Sequence, residues 1–501
     1  VNDALLPLLV ALPLTMAALG VVLPARVMLP VMVLTPLLTA AGGAVLLVEH
    51  AGSGPSVVAT QVGAFVPGIA IPLVSDTVAA LMLAVTGLTT AVCVGFAALC
   101  GEARLRYFPT LTLMLTAGVN GALLTGDLFN LFVFIEVMLL PSYALIAMTG
   151  TWRRLGVGRL FVVVNLVTST ILLIGVGLVY GVAGSVNMGV LSGADPDDPR
   201  FVLAVSVVLL ALCVKAGVVP LHGWLPRAYP ATSAPVMALF SALHTKVAIY
   251  AIFRVHQVVL DGAPRWTSVA FALVLATMVV GSFGSLGEKM IRRLLSWQMV
   301  AGVGYILLGL AIGTRLGLAS GLFYLAHHIL VMGALLLGSA AIERTYRTHH
   351  FVRLSGLMRR EPVLATIMAL AMLSLVGFPP SSGFFAKVGI VRAAADLDGT
   401  ERVVVLVVVV LASLGTLLAM LRLWRGVFWG PPLEDLPSGD RARHEIPLDA
   451  RVPTRLLVPA GVLLVASLLV FLVPGPVWDA TVRAADGLLD TGAYAAEVTA
   501  P

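Results

Sequence analysis

Residues 210–226 read LALCVKAGVVPLHGWLP, and residues 376–391 read VGFPPSSGFFAKVGIV. Each is an apolar run long enough to belong to a membrane-crossing helix, and each is interrupted by glycine and proline with a lysine close by. Pro220 and the pair Pro379–Pro380 remove backbone donors and clash with the preceding turn, so both helices should break or kink there. Freed carbonyls at such a break can hold a cation or water, and two interrupted segments in different parts of one chain point to a transport site built from repeats. Lys215 precedes its break and Lys387 follows its own, the arrangement expected here of inverted repeats.

The rest of the chain agrees with a lipid setting. Of its 501 residues, 59% are hydrophobic and 11% charged, against about 25% charged in soluble proteins. Apolar runs of spanning length, roughly 20 residues, recur near 4–24, 27–48, 72–99, 109–126, 128–150, 159–183, 202–222, 232–254, 267–287, 296–313, 316–342, 363–390, 402–428 and 455–473. They are too long for barrel strands, and a lipid-facing backbone must bond to itself. The expected fold is therefore an all-α polytopic membrane protein of fourteen spans. The first run is read as a span, since no small-residue cleavage site follows it.

Arginines gather in loops after odd-numbered spans, among them Arg104, Arg106, Arg153, Arg154, Arg159, Arg292, Arg293, Arg359 and Arg360. Loops after even-numbered spans hold Arg200, Arg254, Arg265, Arg315, Arg392 and Arg402. Positive loops stay in the cytoplasm, so both termini are expected to face outward. The stretch 431–449, PPLEDLPSGDRARHEIPLD, becomes a cytoplasmic loop and a docking surface. The net charge of +6 is dispersed, which excludes a nucleic-acid face. Cys93, Cys100 and Cys213 form no CxxC pair, and neither a disulfide framework, a zinc site nor an iron–sulfur site is expected. No cofactor or metal is expected.

The chain has four lysines and 27 arginines. Lys289 lies in a basic loop, but Lys215, Lys246 and Lys387 lie inside apolar segments. A buried amine can release its proton and a guanidinium cannot. Intramembrane charges are costly and mark function. Lys246 occupies the middle of VMALFSALHTKVAIYAIF (236–253), with His244 two residues earlier on another face. Glu136, in GDLFNLFVFIEVMLLPSYALIAM (126–148), is the carboxylate in the middle of a span. An ionised carboxylate there must be paired, hydrated or protonated, and a Glu–Lys pair is the economical solution. His327 and His328, in GLFYLAHHILVMGALLLG (321–338), can relay protons, with Tyr324 one turn away. Ser241 and Thr245 are candidates to hold water. Asp127, near the end of the same helix as Glu136, reads as interfacial or capping, and Asp76 and Glu49, near span ends, read as interfacial.

The segments DLFNLFVFIEVMLLPSY (127–143), KAGVVPLHGWLPRAYPATSAPVMALFSALHTKVAIYAIFR (215–254) and GFPPSSGFFAK (377–387) resemble the antiporter-like subunits shared by respiratory complex I, membrane-bound hydrogenases and Mrp antiporters, with the D-type branch of the Mrp antiporters nearest. The resemblance covers about residues 70 to 430. It implies two inverted five-helix repeats with broken helices seven and twelve. Three helices would occupy residues 1–108, the repeats 109–254 and 267–428, and a loop, helix fourteen and an outward tail residues 429–501. It implies that Glu136, Lys215, Lys246 and Lys387 form a hydrated polar axis through which protons pass between half-channels. The partners implied are the other subunits of a hetero-oligomeric complex in a bacterial plasma membrane, with protons and Na+ as the transported ions. Relatives often carry a lysine in span eleven, where this chain has Met332, so His327 or His328 would serve instead. The alternatives are a proton-pumping subunit of a complex I-like redox enzyme or hydrogenase, whose redox chemistry partner chains would carry, and a non-conducting scaffold.

Overall fold

The computed structural model describes residues 4–52, 57–63, 65, 69–148, 152–263, 266–433 and 450–500. The chain begins with α1 (Leu5–Leu19) and α2 (Ala25–Ala51), followed by a hairpin of β1 (Val57–Val62) and β2 (Ile71–Asp76). Next come α3 (Thr77–Cys100), α4 (Phe108–Leu124), α5 (Leu128–Ala147), α6 (Trp152–Ala183), α7 (Pro199–Ala216) and α8 (Ala234–Arg254). A second group comprises α9 (Thr267–Gly284), α10 (Ile291–Ile312), α11 (Arg315–Tyr346), α12 (Pro362–Val376), α13 (Ser382–Ala395) and α14 (Gly399–Val427). Helices α15 (Thr454–Leu472), α16 (Pro474–Leu489) and α17 (Gly492–Val498) end the described chain.

Among the described residues, 11 helices are long and apolar enough to cross a membrane, and α1, α4 and α12 are shorter apolar helices. The molecule is a multi-pass membrane protein. Helices α8 and α11 are buried throughout their apolar windows and pack on each other. In lipid, an all-round apolar helix that touches no lipid must be enclosed by other helices, so these two form the axis of the bundle.

The two groups of helices share features of length and closure. Helices α6 and α11 each run 32 residues. Asp127 bridges Asn187 across the ends of α5 and α6, and Met290 bridges His350 across the ends of α10 and α11.

Both expected interruptions are present, in one register. Helix α7 stops at Ala216, where Gly217 takes φ +82°, and α12 stops at Val376, where Gly377 takes φ +92°. Gly217 N–H donates to Cys213 O and Val214 O, and Val218 N–H to Cys213 O. Gly377 N–H donates to Leu373 O and Ser374 O, and Phe378 N–H to Leu373 O. This left-handed cap is open to glycine without a Cβ penalty. Counted from these glycines, Lys215 falls level with Leu375. Repeats that are inverted in the bilayer still keep chain order, so the lysines stand at non-equivalent positions and their opposite placement is not a product of inversion.

Three expectations are corrected. The all-helical membrane fold carries one short hairpin: residues 72–76, read as the start of span three, belong to a strand 71–76 that pairs with residues 57–62 in an antiparallel ladder from Val57–Asp76 to Val62–Ile71. The apolar character of IPLV made strand and helix indistinguishable by composition alone. Second, Asp76 is more than a polar residue near a span end. Its carboxylate caps α3 through Ala79 N–H at 2.9 Å and takes a two-pronged pair from Arg254 at 2.7 and 2.8 Å, and both residues are buried. Tyr250 accepts from the same guanidinium at 3.1 Å, and the Tyr494 ring lies 4.9 Å from it. Third, the residues after span fourteen are not a simple tail. Helix α17 docks on the hairpin, where Gln61 Nε2 donates to Val498 O at 2.8 Å. Helix α16 is tied to α11 by Arg315 and Asp486, 2.8 Å apart. That hydrogen bond holds the Asp486 carboxyl below the usual carboxylate range, so the tie survives to lower pH than an unpaired aspartate's charge would. Most of the expected docking loop at 431–449 lies outside the described residues.

Removing one partner of a buried, hydrogen-bonded ion pair leaves a stranded charge, at a cost of about 3–5 kcal/mol. Asp76→Ala should therefore lower the melting temperature of the purified protein sharply. An unchanged melting curve would mean that Arg254 finds water instead.

Candidate functional site

The acid and the first lysine meet through a third group. Glu136 projects from the middle of α5, Ser169 from α6 and Lys215 from the last turn of α7. Lys215 Nζ donates to Ser169 Oγ at 3.0 Å, and Ser169 Oγ donates in turn to Glu136 Oε1. The expected Glu–Lys pairing thus runs through a serine. One hydroxyl accepts from the amine and donates to the carboxylate, the polarity that a proton handed from ammonium to carboxylate needs. Lys215 is buried and Glu136 half-buried. The lysine stands at the carboxyl end of α7, where the helix dipole favours a cation.

A small cavity on the other side of Lys215 is lined by Asn165, Trp224, His244 and Met138. Its volume of about 10 Å³ matches roughly one water, and three polar groups surround it. His244 Nε2 pairs with Ser142 Oγ at 2.8 Å, and the imidazole packs edge-on against Phe240 with centroids 4.6 Å apart. His244 therefore faces α5 and the Lys215 cavity. Lys246 is fully buried and donates to Thr245 Oγ1 at 3.2 Å.

The third group surrounds Lys387 on α13. Its Nζ donates to Val376 O, the last carbonyl of α12, at 2.8 Å and to Ser413 Oγ on α14 at 3.2 Å. It also lies 4.5 Å from the centre of the Tyr305 ring. Tyr305 OH pairs with Ser413 Oγ at 2.8 Å. Tyr305 stacks on Tyr324 at 5.1 Å, and Tyr324 meets His327 at 5.3 Å and His328 at 6.0 Å. His327 Nδ1 pairs with Ser382 Oγ at 2.8 Å, which pairs with Ser467 Oγ at 2.8 Å. The His328 ring presses on Gly302, whose Cα leaves no room for a side chain. Met332 is buried and brings no charge to this part of α11.

The expected residues thus fall into three groups: Glu136, Lys215 and His244; Lys246 with Thr245, near enough to His328 to act on it electrostatically; and Lys387 with His327 and His328. Among the described residues no direct hydrogen bond joins one group to another. Two carbonyls at the breaks are already engaged, Val214 O by the Trp224 indole at 2.9 Å and Val376 O by Lys387. Ser241 Oγ has no partner among the described residues. Asp127 caps α5 through Asn130 N–H at 2.7 Å, as its position suggested. No cluster of three His, Cys, Asp or Glu side chains forms a metal site among the described residues.

Sequence reading missed Ser169, Ser142, Ser382, Ser413 and Tyr305. Only Ser169 carried a usable signal: Asn165, Thr168 and Ser169 share one face of an otherwise apolar helix.

A family model described as NADH:quinone oxidoreductase/Mrp antiporter, TM, matches residues 125–415. The chain belongs to this family. A curated relative, the D-type subunit of the Na(+)/H(+) antiporter of Alkalihalophilus pseudofirmus, is 34% identical over 431 residues, covering 85% of each chain. Another, the N-type subunit of the NADH-quinone oxidoreductase of Desulforudis audaxviator, is 35% identical over 369 residues, covering 71% of this chain and 72% of that one. Among solved structures, a chain of the Mrp complex from Dietzia sp. superposes with a TM-score of 0.92 at 41% identity, covering 99% of both chains. Within the family, the Na(+)/H(+) antiporter subunit and the Mrp-complex chain are thus matched over more of this chain than the oxidoreductase member. All three buried lysines and Glu136 lie inside the span that the family model matches.

Proposed function

We propose that the chain is the proton-handling D-type subunit of a multi-subunit Mrp-type sodium/proton antiporter. Protons move along a mid-membrane axis of Glu136, Lys215, His244, Lys246, His327, His328 and Lys387, with water filling the gaps between the three side-chain groups. Fourteen spans carry this axis, in two inverted five-helix repeats over 109–254 and 267–428, and both termini face outward. The matched lengths of α6 and α11, the two equivalent bridges and the shared register of the breaks support the repeats. The arginine-rich loops support the orientation.

The observation that carries the proposal is the Glu136–Ser169–Lys215 chain. Close to the carboxylate, the amine holds its proton; when the link opens, burial drives the proton off. Moving a unit charge through 100 mV is worth about 2.3 kcal/mol, more than the roughly 1.4 kcal/mol of a one-unit pKa change. A membrane potential is therefore strong enough to work such a switch.

Ser169→Ala tests the link itself. Hydrogen bonds to charged groups are worth about 1.5–3 kcal/mol, so exchange in everted vesicles should fall roughly 10- to 100-fold. Ser169→Thr, which restores a hydroxyl, should recover most of it. Equal rates in Ser169→Ala and the wild type would remove the serine from the path.

The second reading, a proton-pumping subunit of a complex I-like enzyme, draws on the Desulforudis relative. Sodium-dependent proton movement by the purified complex without any electron donor favours the antiporter.

A further inference from the structure

We propose that the cleft between the end of α11 and the start of α15 binds the phosphate headgroup of an anionic phospholipid. The cleft has a volume of about 240 Å³ and is walled by Arg344, Arg451 and Arg455 together with Leu99, Pro453 and Leu456. That is far more than the single-water void beside Lys215 and leaves room for a phosphodiester and its glycerol. Three guanidinium side chains from separate stretches of chain converge on it, and no carboxylate lines it among the described residues. Arginine forks match phosphate oxygens in pairs.

The surrounding structure holds the arginines in place. Arg344 Nη2 donates to Cys100 O at 3.1 Å, fixing it over the end of α3. The segment carrying Arg451 is clamped from both sides: Arg360 Nη2 donates to Ala450 O at 2.9 Å, and Val452 N–H donates to Glu361 Oε1 at 2.9 Å. Tyr346 OH donates to that same carboxylate oxygen at 2.6 Å. Arg455 then falls in the first turn of α15, on the cleft side.

The level in the membrane selects lipid over a soluble anion. Leu99 is next to last in α3 and Leu456 lies in the first turn of α15, so the cleft opens where spans end. Leu99 is 43% exposed and offers an apolar surface for the acyl chains below the headgroup. Basic pockets between span ends are known receptors for such headgroups. A neighbouring cleft of about 610 Å³ shares Cys100 and Arg344 but sets Glu102 and Glu343 beside Arg347, so the excess of positive charge is confined to the smaller cleft.

The inference does not rest on proton transport, and neither does its test. The full chain, purified with its complex, is placed in phosphatidylcholine nanodiscs with or without phosphatidylglycerol, and its melting temperature and retained lipid (by native mass spectrometry) are measured. Phosphatidylglycerol is expected to raise the melting temperature and to be retained, and inorganic phosphate is expected to do neither. Each arginine replaced by glutamine should weaken retention roughly fivefold, and R344Q/R451Q/R455Q should abolish it. If the triple variant does not fold, R455Q alone, an exposed change at the helix start, must still show the single-step loss. Wild-type retention in R455Q or the triple variant overturns the proposal. Stabilisation by inorganic phosphate equal to that by phosphatidylglycerol also overturns it, in favour of a soluble anion.

Discussion

Lys215→Ala is expected to abolish sodium-dependent proton exchange while the complex still assembles, and Glu136→Ala to do the same. The amine and the carboxylate lie at the two ends of one serine-bridged chain, and neither end can be replaced by its neighbours. Proton transfer by a positioned group is worth on the order of 10²- to 10⁴-fold, so either variant should fall to the leak rate of the vesicle. Assembly should survive. Glu136 is half-buried and makes no ion pair among the described residues, and Lys215 shares its cavity with groups that can take up water. The assay is quenching of a pH-sensitive dye in everted vesicles on sodium addition, with protein level checked by immunoblot. Wild-type exchange in either variant would take that residue out of the mechanism.

Lys387→Arg should be almost as damaging, although it conserves charge. A guanidinium keeps its proton at any physiological pH, so the variant tests release rather than charge. The site also fits an ammonium: Nζ is held by Val376 O, Ser413 Oγ and the face of Tyr305. A planar fork there adds volume to a packed site, at a cost of about 1–3 kcal/mol. Exchange at the vesicle leak rate with normal assembly is the expected result. Retained sodium-dependent proton movement would make Lys387 a fixed positive charge that orients the Tyr305–Tyr324 stack and nothing more.

The membrane class, the helical axis and both interruptions were legible because each depends on local chemistry. Long apolar runs have one home, and the Gly-x-x-Pro pattern at 217–220 and 377–380 stops a helix wherever it occurs. The buried lysines were legible because so few lysines stand outside apolar runs. What stayed hidden depends on partners far away in the chain. Asp76 looked interfacial because nothing near it announces Arg254, 178 positions on. Ser413 and Tyr305 look like ordinary residues of apolar helices until α13 brings Lys387 between them. The hairpin escaped notice because its second strand is as apolar as the helix that follows it.

The break after Lys215 has little slack. Gly217 and Val218 are tied back into α7, Val219 N–H donates to Thr277 of α9 at 3.0 Å, and Trp224 returns to bond Val214 O. A joint stitched at four points to two helices is a fixed corner rather than a hinge. On the proton path proposed above, gating around Lys215 would fall to rotamer changes and to the filling and emptying of a single-water void. The backbone would then supply an unmoving frame, with wetting timing the traffic.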